Sequence, residues 1–196
     1  VNDWKRVLWS DESKINLRGS DGRIWTWKKA NEPLKQKHVK MKVKHDHSIM
    51  VWGCMSSAGV GDIHVINDIL TSAKYVRILS NHILSSGVRL IGRDFIFQQD
   101  NDPKHTAKNT KEWLESKNIE CIVWPGQSPD LNPIENLWNE LKKKIGALNL
   151  TKNSDLPNAL VECWNSITPE YCDALISSLP TRIDQVIKNK GLWTNY

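Results

Sequence analysis

With 196 residues, 39% of them hydrophobic and 25% charged, the chain is long enough to bury a core of its own and most simply forms one domain. Its net charge of +5 admits a polyanionic partner without requiring one. No apolar run approaches the roughly 18 residues of a membrane helix, and no signal peptide is recognisable. The four cysteines, at 54, 121, 163 and 172, form no CxxC pair. They read as buried free thiols of a reducing compartment, which argues against a disulfide scaffold or a zinc ribbon.

The chain opens abruptly on a strand-like segment, as a piece of a longer protein would. Arg6–Ser13 predicts a short buried strand ending at acids, and Ile15–Leu17 either continues it or begins a second. Gly19–Gly22 is a turn signal, and Arg23–Trp27 predicts another strand, together an antiparallel hairpin. Residues 28–47 lack a period and read as a long loop. Seven lysines fall between Lys28 and Lys44, with Glu32 the only acid among them. Ser48–Ser56 predicts an apolar strand that turns at Gly59–Gly61 and returns through Ile63–Ile66. A helix follows from Thr71 or Ser72, striped by Tyr75, Ile78, Leu79 and Ile83.

Phe95–Gln99 is the next predicted strand. Asp102 and Pro103 look like an N-cap and first helical residue, opening a helix to about Lys117. Glu120–Trp124 predicts a strand and 125–133 a loop. Ile134, Leu137, Trp138, Leu141 and Ile145 then form one helical face. From Ser154 onward two helical stripes stand out: Leu160, Cys163, Trp164 and Ile167, then Leu175, Ile176, Leu179, Ile183 and Ile187. Strands first, then strands alternating with helices, define an α/β class with a mixed sheet flanked by helices.

Three acids stand where a metal site could use them. Asp11 ends the first predicted strand, Asp100 follows Phe95–Gln99, and Glu135 lies in the first turn of a helix. Carboxylate oxygens suit Mg²⁺ and Mn²⁺, and a pair of such ions can clamp a phosphodiester. Glu12 rivals Asp11, but strand parity puts Val7, Trp9 and Asp11 on one face and Glu12 on the other. Asp102 is accounted for as a helix cap, whereas Asp100 has no local task. Glu135 has a competing reading, because Asn132-Pro-Ile-Glu135 matches a capping box. Asn101 and His105 are candidates to support Asp100. Lys28, Lys29, Lys35, Lys37, Lys40, Lys42 and Lys44 are candidate DNA contacts, or else a solvated loop.

Four stretches carry a resemblance: Val7-Leu-Trp-Ser-Asp-Glu-Ser13, Ile49-Met-Val-Trp-Gly-Cys54, Gln99-Asp-Asn-Asp-Pro-Lys-His-Thr106 and Trp124-Pro-Gly-Gln-Ser-Pro-Asp-Leu-Asn-Pro-Ile-Glu-Asn-Leu-Trp138. They closely resemble the catalytic domain of Tc-one/mariner transposases, over essentially the whole chain. Residues 101–134, 34 of them, separate Asp100 from Glu135, the Tc-one spacing. The resemblance implies a ribonuclease-H-like fold over 1–196. It implies an Asp11–Asp100–Glu135 triad holding two Mg²⁺ or Mn²⁺ ions, and a clamp-like loop over 25–47. It implies cleavage of double-stranded DNA at transposon ends, then strand transfer into target DNA at TA sites, by a homodimer in the nucleus. The family's N-terminal helix-turn-helix region is absent from this chain. Two alternatives stay open: a domesticated DNA-binding protein, and a ribonuclease acting on RNA–DNA hybrids.

Overall fold

A ten-residue strand at the centre of the sheet organises the rest of the chain. In a computed structural model describing residues 3–17, 31, 33, 35 and 48–191, this strand is β1 (Val7–Asn16). On one side it pairs antiparallel with β2 (Ser48–Ser56), which pairs antiparallel with β3 (Gly59–Ile66). On the other it pairs parallel with β4 (Ile96–Gln98), which pairs parallel with β5 (Glu120–Cys121). The order is β3-β2-β1-β4-β5. Ile15–Leu17 therefore begins no second strand, since β1 runs on to Asn16 opposite Ser48. Asp11 is thus mid-strand and not at a strand end. The strand expected at Arg23–Trp27, and all of the basic loop except residues 31, 33 and 35, lie outside the described residues.

Strand parity divides the core into two layers. Val7, Trp9 and Ile15 face α4 (Pro133–Ala147), α5 (Leu156–Asn165) and α6 (Pro169–Ser177). Leu8, Trp52 and Phe97 face α1 (Ser72–Leu90) on the opposite side of the sheet. Thr71 caps α1, its hydroxyl accepting from the Lys74 amide. Among the described residues the final helix is α7 (Leu179–Lys188).

Several expected boundaries shift. The helix expected from Pro103 to Lys117 is two: α2 (Pro103–Thr106) and α3 (Lys108–Ser116). Ala107 breaks it with an extended backbone, φ −59° and ψ 148°, and its carbonyl restarts the ladder by accepting from Thr110 and Lys111. Thr110 Oγ1 closes the gap by donating to the Lys104 carbonyl. The strand expected over Glu120–Trp124 keeps only two residues, because its partner β4 is three residues long. Cys121 is exposed, not buried; Cys54, Cys163 and Cys172 are buried free thiols as expected. Ile187 is 69% exposed, so the last apolar stripe ends before it.

Gly53 fixes how closely α4 approaches the sheet. Trp138 stacks on Trp164, ring centroids 5.1 Å apart, and Trp164 Nε1–H donates to the Gly61 carbonyl. A Cβ at Gly53 would stand 2.7 Å from the Trp138 ring, closer than carbon atoms tolerate. Gly53→Ala is expected to lose about 1–3 kcal/mol of stability through overpacking. Urea unfolding would show this as a lower midpoint, and an unchanged midpoint would mean that Trp138 yields freely.

Candidate active site

Register brings the first two acids together. Trp9 is the last β1 residue paired with β4, opposite Gln98. Asp11 and Asp100 each lie two residues beyond that pair. Parallel strands run about 4.8 Å apart and side chains repeat every second residue, so both acids fall just past the point where the β1–β4 pairing ends. Ser10 seals the point where β4 leaves β1: its Oγ donates to the Gln98 carbonyl at 2.8 Å.

Glu135 arrives from α4. Trp138 Nε1–H donates to Asp11 Oδ2 at 3.1 Å. Glu135 is three residues earlier on the same helix, hence one turn away on the same face. The expected capping box is not formed. The Asn132 side chain makes no cap bond, its buried Oδ1 has no partner, and its amide donates to the Pro129 carbonyl. The Glu135 carboxylate is therefore free of the local role that the sequence suggested.

Charge links the acids in steps, Glu135 acting on Asp11 and Asp100 acting on Glu135. Burial pushes the Asp11 carboxyl up to about 8, with the Glu135 and Glu12 charges adding to it. Burial also raises Glu135; Lys142 opposes this and Asp100 adds to it. Asp100 moves the other way, held below the usual range chiefly by its hydrogen bond from His105.

Asp100 sits in a polar cradle. Its Oδ1 accepts from His105 Nδ1–H and from the Asp102 amide. His105 is 2% exposed, and its Nε2–H donates to Glu12 Oε1 at 3.1 Å. Burial works against the imidazolium, but the bonds to Asp100 and Glu12 outweigh it and raise His105 to about 9. Lys104 Nζ bridges Glu12 Oε2 at 3.3 Å and Asp102 Oδ2 at 2.8 Å. Asp102 is the cap expected of it, Oδ1 accepting from the Lys104 amide. Asn101 points elsewhere: its Nδ2–H donates to the Trp124 carbonyl, bracing the loop and not the Asp100 carboxylate. Of the candidate basic contacts only Lys35 is described, and it is exposed.

Two contributors escaped the sequence reading. Trp138 looked like a core residue, and its indole N–H is what ties α4 to Asp11. Arg182, 1% exposed, donates to the Asp130 carbonyl and to Asn136 Oδ1, anchoring the loop and first turn that carry Glu135. An arginine one turn from Leu179 in an apolar stripe was the available signal.

The donor set fits a hard divalent cation. Its members are carboxylate oxygens from three elements, and the burial and neighbouring carboxylate charge that raise Asp11 and Glu135 are what a cation would offset. Among the described residues, no three His, Cys, Asp or Glu side chains could enclose an ion by themselves. Mg²⁺ accepts such an open set, because it keeps several waters and takes phosphate oxygens as ligands.

A five-stranded mixed sheet flanked by helices, with acids gathered where β4 parts from β1, defines a ribonuclease-H-like nuclease domain. A family model described as DDE superfamily endonuclease matches residues 6–156. The Tc1 transposase of Caenorhabditis elegans is 38% identical over 195 residues, covering 99% of this chain and 71% of that protein. The Tcb2 transposase of Caenorhabditis briggsae is 37% identical with the same coverage. Among solved structures, a pre-cleavage Mos1 transpososome superposes with a TM-score of 0.80 at 19% identity, covering 98% of this chain and 58% of that one. The Mos1 mariner catalytic domain alone gives 0.73 at 20% identity, covering 98% and 85%. The chain belongs to the DDE superfamily of endonucleases, among the transposases of the Tc1 kind.

The raised Asp11 carboxyl sets a pH dependence. The folded domain holds this proton between the ordinary value near 3.8 and about 8, and unfolding releases it. Stability from this group is full below 3.8 and is lost as pH rises through about 8. Without divalent cations, the urea midpoint should fall between about pH 5 and about pH 8, and Asp11→Asn should shrink that fall. A fall of the same size in Asp11→Asn would place the dependence on other groups.

Proposed function

We propose that this domain is the catalytic core of a cut-and-paste DNA transposase, with Asp11, Asp100 and Glu135 as its metal ligands. The observation carrying this reading is the placing of three carboxylates on β1, just past β4 and on α4, with Glu135 repelling Asp11, Asp100 repelling Glu135, and Glu135 free of the capping role. The family membership and the Mos1 paired-end complexes with Mn and with Mg among the structural neighbours support it. Two ions serve each site, and the partner is double-stranded DNA held by a homodimer. The place of action is the nucleus.

Bound divalent ions supply charge neutralisation at the scissile phosphate and a more acidic attacking oxygen. The residues of the chain do the holding. Asp11 is anchored through Oδ2 by Trp138 and is also held by the Glu12 backbone. Asp100, anchored through Oδ1, presents Oδ2. Glu135 reaches the same space from α4. In the first reaction water attacks the phosphodiester at the transposon end, leaving a 3′-hydroxyl and a 5′-phosphate. In the second that 3′-hydroxyl attacks target DNA at a TA site, forming one phosphodiester as another breaks. The basic stretch Lys28–Lys44 contributes contacts to the phosphate backbone.

Asp100→Asn is expected to cut Mn²⁺-dependent nicking of supercoiled plasmid by at least about a hundredfold, the loss of several kcal/mol of charge stabilisation. Unchanged nicking would remove Asp100 from the ligand set, and faster cleavage of an RNA–DNA hybrid than of duplex DNA would favour a ribonuclease. Neutralising Lys35, Lys37, Lys40 and Lys42 should flatten the salt dependence of DNA binding, by about 0.9 in log–log slope for each phosphate that is no longer neutralised. A slope that stays the same would leave the loop solvated or engaged with another subunit.

A further inference from the structure

Glu12 lies beside Asp11 in sequence but on the other face of β1, and so is no ligand of the same ion. It is nevertheless tied to the site. Its side chain is 12% exposed, and each of its oxygens has a cationic or N–H partner from α2. Oε1 accepts from His105 Nε2–H and Oε2 meets Lys104 Nζ. The other nitrogen of the same ring holds Asp100 Oδ1. One imidazole thus joins a strand residue to the carboxylate 88 positions later.

We propose that Glu12 is a positioning residue for Asp100. Through His105 it fixes which oxygen of Asp100 faces the cation, and this rests on Asp100 being a ligand. Both described hydrogen bonds to the Asp100 carboxylate fall on Oδ1, from His105 and from the Asp102 amide. Oδ2 is left as the single oxygen to offer, so Asp100 binds through one oxygen and not two. Across the site, Trp138 donates to Oδ2 of Asp11 and the Glu12 backbone also bonds that carboxyl.

The imidazole can orient Asp100 only if its own rotation is fixed. Tyr75 lies against one ring face at a centroid distance of 4.2 Å, which sets the plane. Gln99 Nε2–H donates to the His105 carbonyl, and Tyr75 O–H donates to Gln99 Oε1, which fixes the backbone. Glu12 supplies the remaining constraint, the rotation within that plane. Without it, Nε2–H is buried with no acceptor, a condition costly enough to turn the ring toward water. Asp100 would then be free to rotate, and a cation would have to order it on binding. Partners of this kind behind a metal ligand typically change metal affinity by about 10–100-fold.

The test uses the full chain with Mn²⁺ as the probe, followed by titration calorimetry and by the Mn²⁺ dependence of plasmid nicking. Glu12→Ala should weaken Mn²⁺ binding about 10–100-fold, with the loss falling more on half-saturating Mn²⁺ than on the maximal rate. Glu12→Gln, whose amide oxygen still accepts from His105 Nε2–H, should recover most of that affinity. A folded Glu12→Ala with unchanged Mn²⁺ affinity would overturn the proposal, leaving Glu12 as a staple between β1 and α2. So would a Glu12→Gln as weak as Glu12→Ala. If Glu12→Ala does not fold, His105→Leu, which keeps the packing against Tyr75 but has no ring N–H, should show the same weakening, and normal affinity there is equally fatal. Asp100→Asn separates the two readings. If it still binds Mn²⁺ and cleaves, Asp100 is no ligand; if it fails while Glu12→Ala is normal, only the positioning role falls.

Discussion

The indole N–H of Trp138 donating to Asp11 is the contact on which the candidate site depends. It links the central strand to a helix that begins more than a hundred residues later, and it sets the rotation of that helix. Glu135, one turn earlier, follows from it. The same ring is stacked on Trp164 and sits over Gly53, the β2 residue directly opposite Asp11 in the sheet. A packing constraint and a polar constraint therefore meet in one side chain. Because the ring is 1% exposed and close-packed, the polar bond inherits the precision of the core.

Electrostatics explains why the domain keeps an arrangement that weakens it. Asp11 and Glu135 are acids whose proton affinity is raised first by burial and then by a neighbouring carboxylate, Glu135 for Asp11 and Asp100 for Glu135, an unfavourable state that a hydrophobic substitution would relieve. Functional sites often hold such conflict, stabilised by the surrounding fold. Asp100 differs because its counter-charge is built in. His105 and, behind it, Glu12 and Lys104 form a compact ionic chain on the opposite face of the sheet. One face of β1 thus carries repulsion that calls for a cation, while the other carries an ion network already satisfied.

Much of the fold was legible in the sequence because it is periodic. Alternation along Arg6–Ser13 separated the two faces of β1, and the stripe of Ile134, Leu137, Trp138, Leu141 and Ile145 marked α4. Thr71 and Asp102 announced helix starts through short-range capping. The departures share a cause. The break at Ala107 follows from His105 being drawn to Asp100 and Glu12 and from Thr110 bonding back to Lys104, and no local pattern encodes those pulls. The capping box at Asn132–Glu135 fitted its motif, yet the Asn132 amide found Pro129 and its side chain found nothing. Strand β5 is shorter than expected because Ile122–Trp124 looks like a strand whatever the length of its partner.

By itself the sequence determined the family, the order of elements, the face of each strand residue and the 34-residue interval between Asp100 and Glu135. These are properties of spacing and periodicity, and they survive without coordinates. The tertiary structure decided which acids share a space, which oxygen of each aspartate is taken, and that Glu12, His105 and Arg182 stand behind them. Apart from the short-range bonds of His105 and the Asp102 amide to Asp100, those facts reside in contacts between residues 46 to 127 positions apart. Such contacts depend on the register of β1 with β4 and on the seating of α4 over Gly53, which only the folded chain sets.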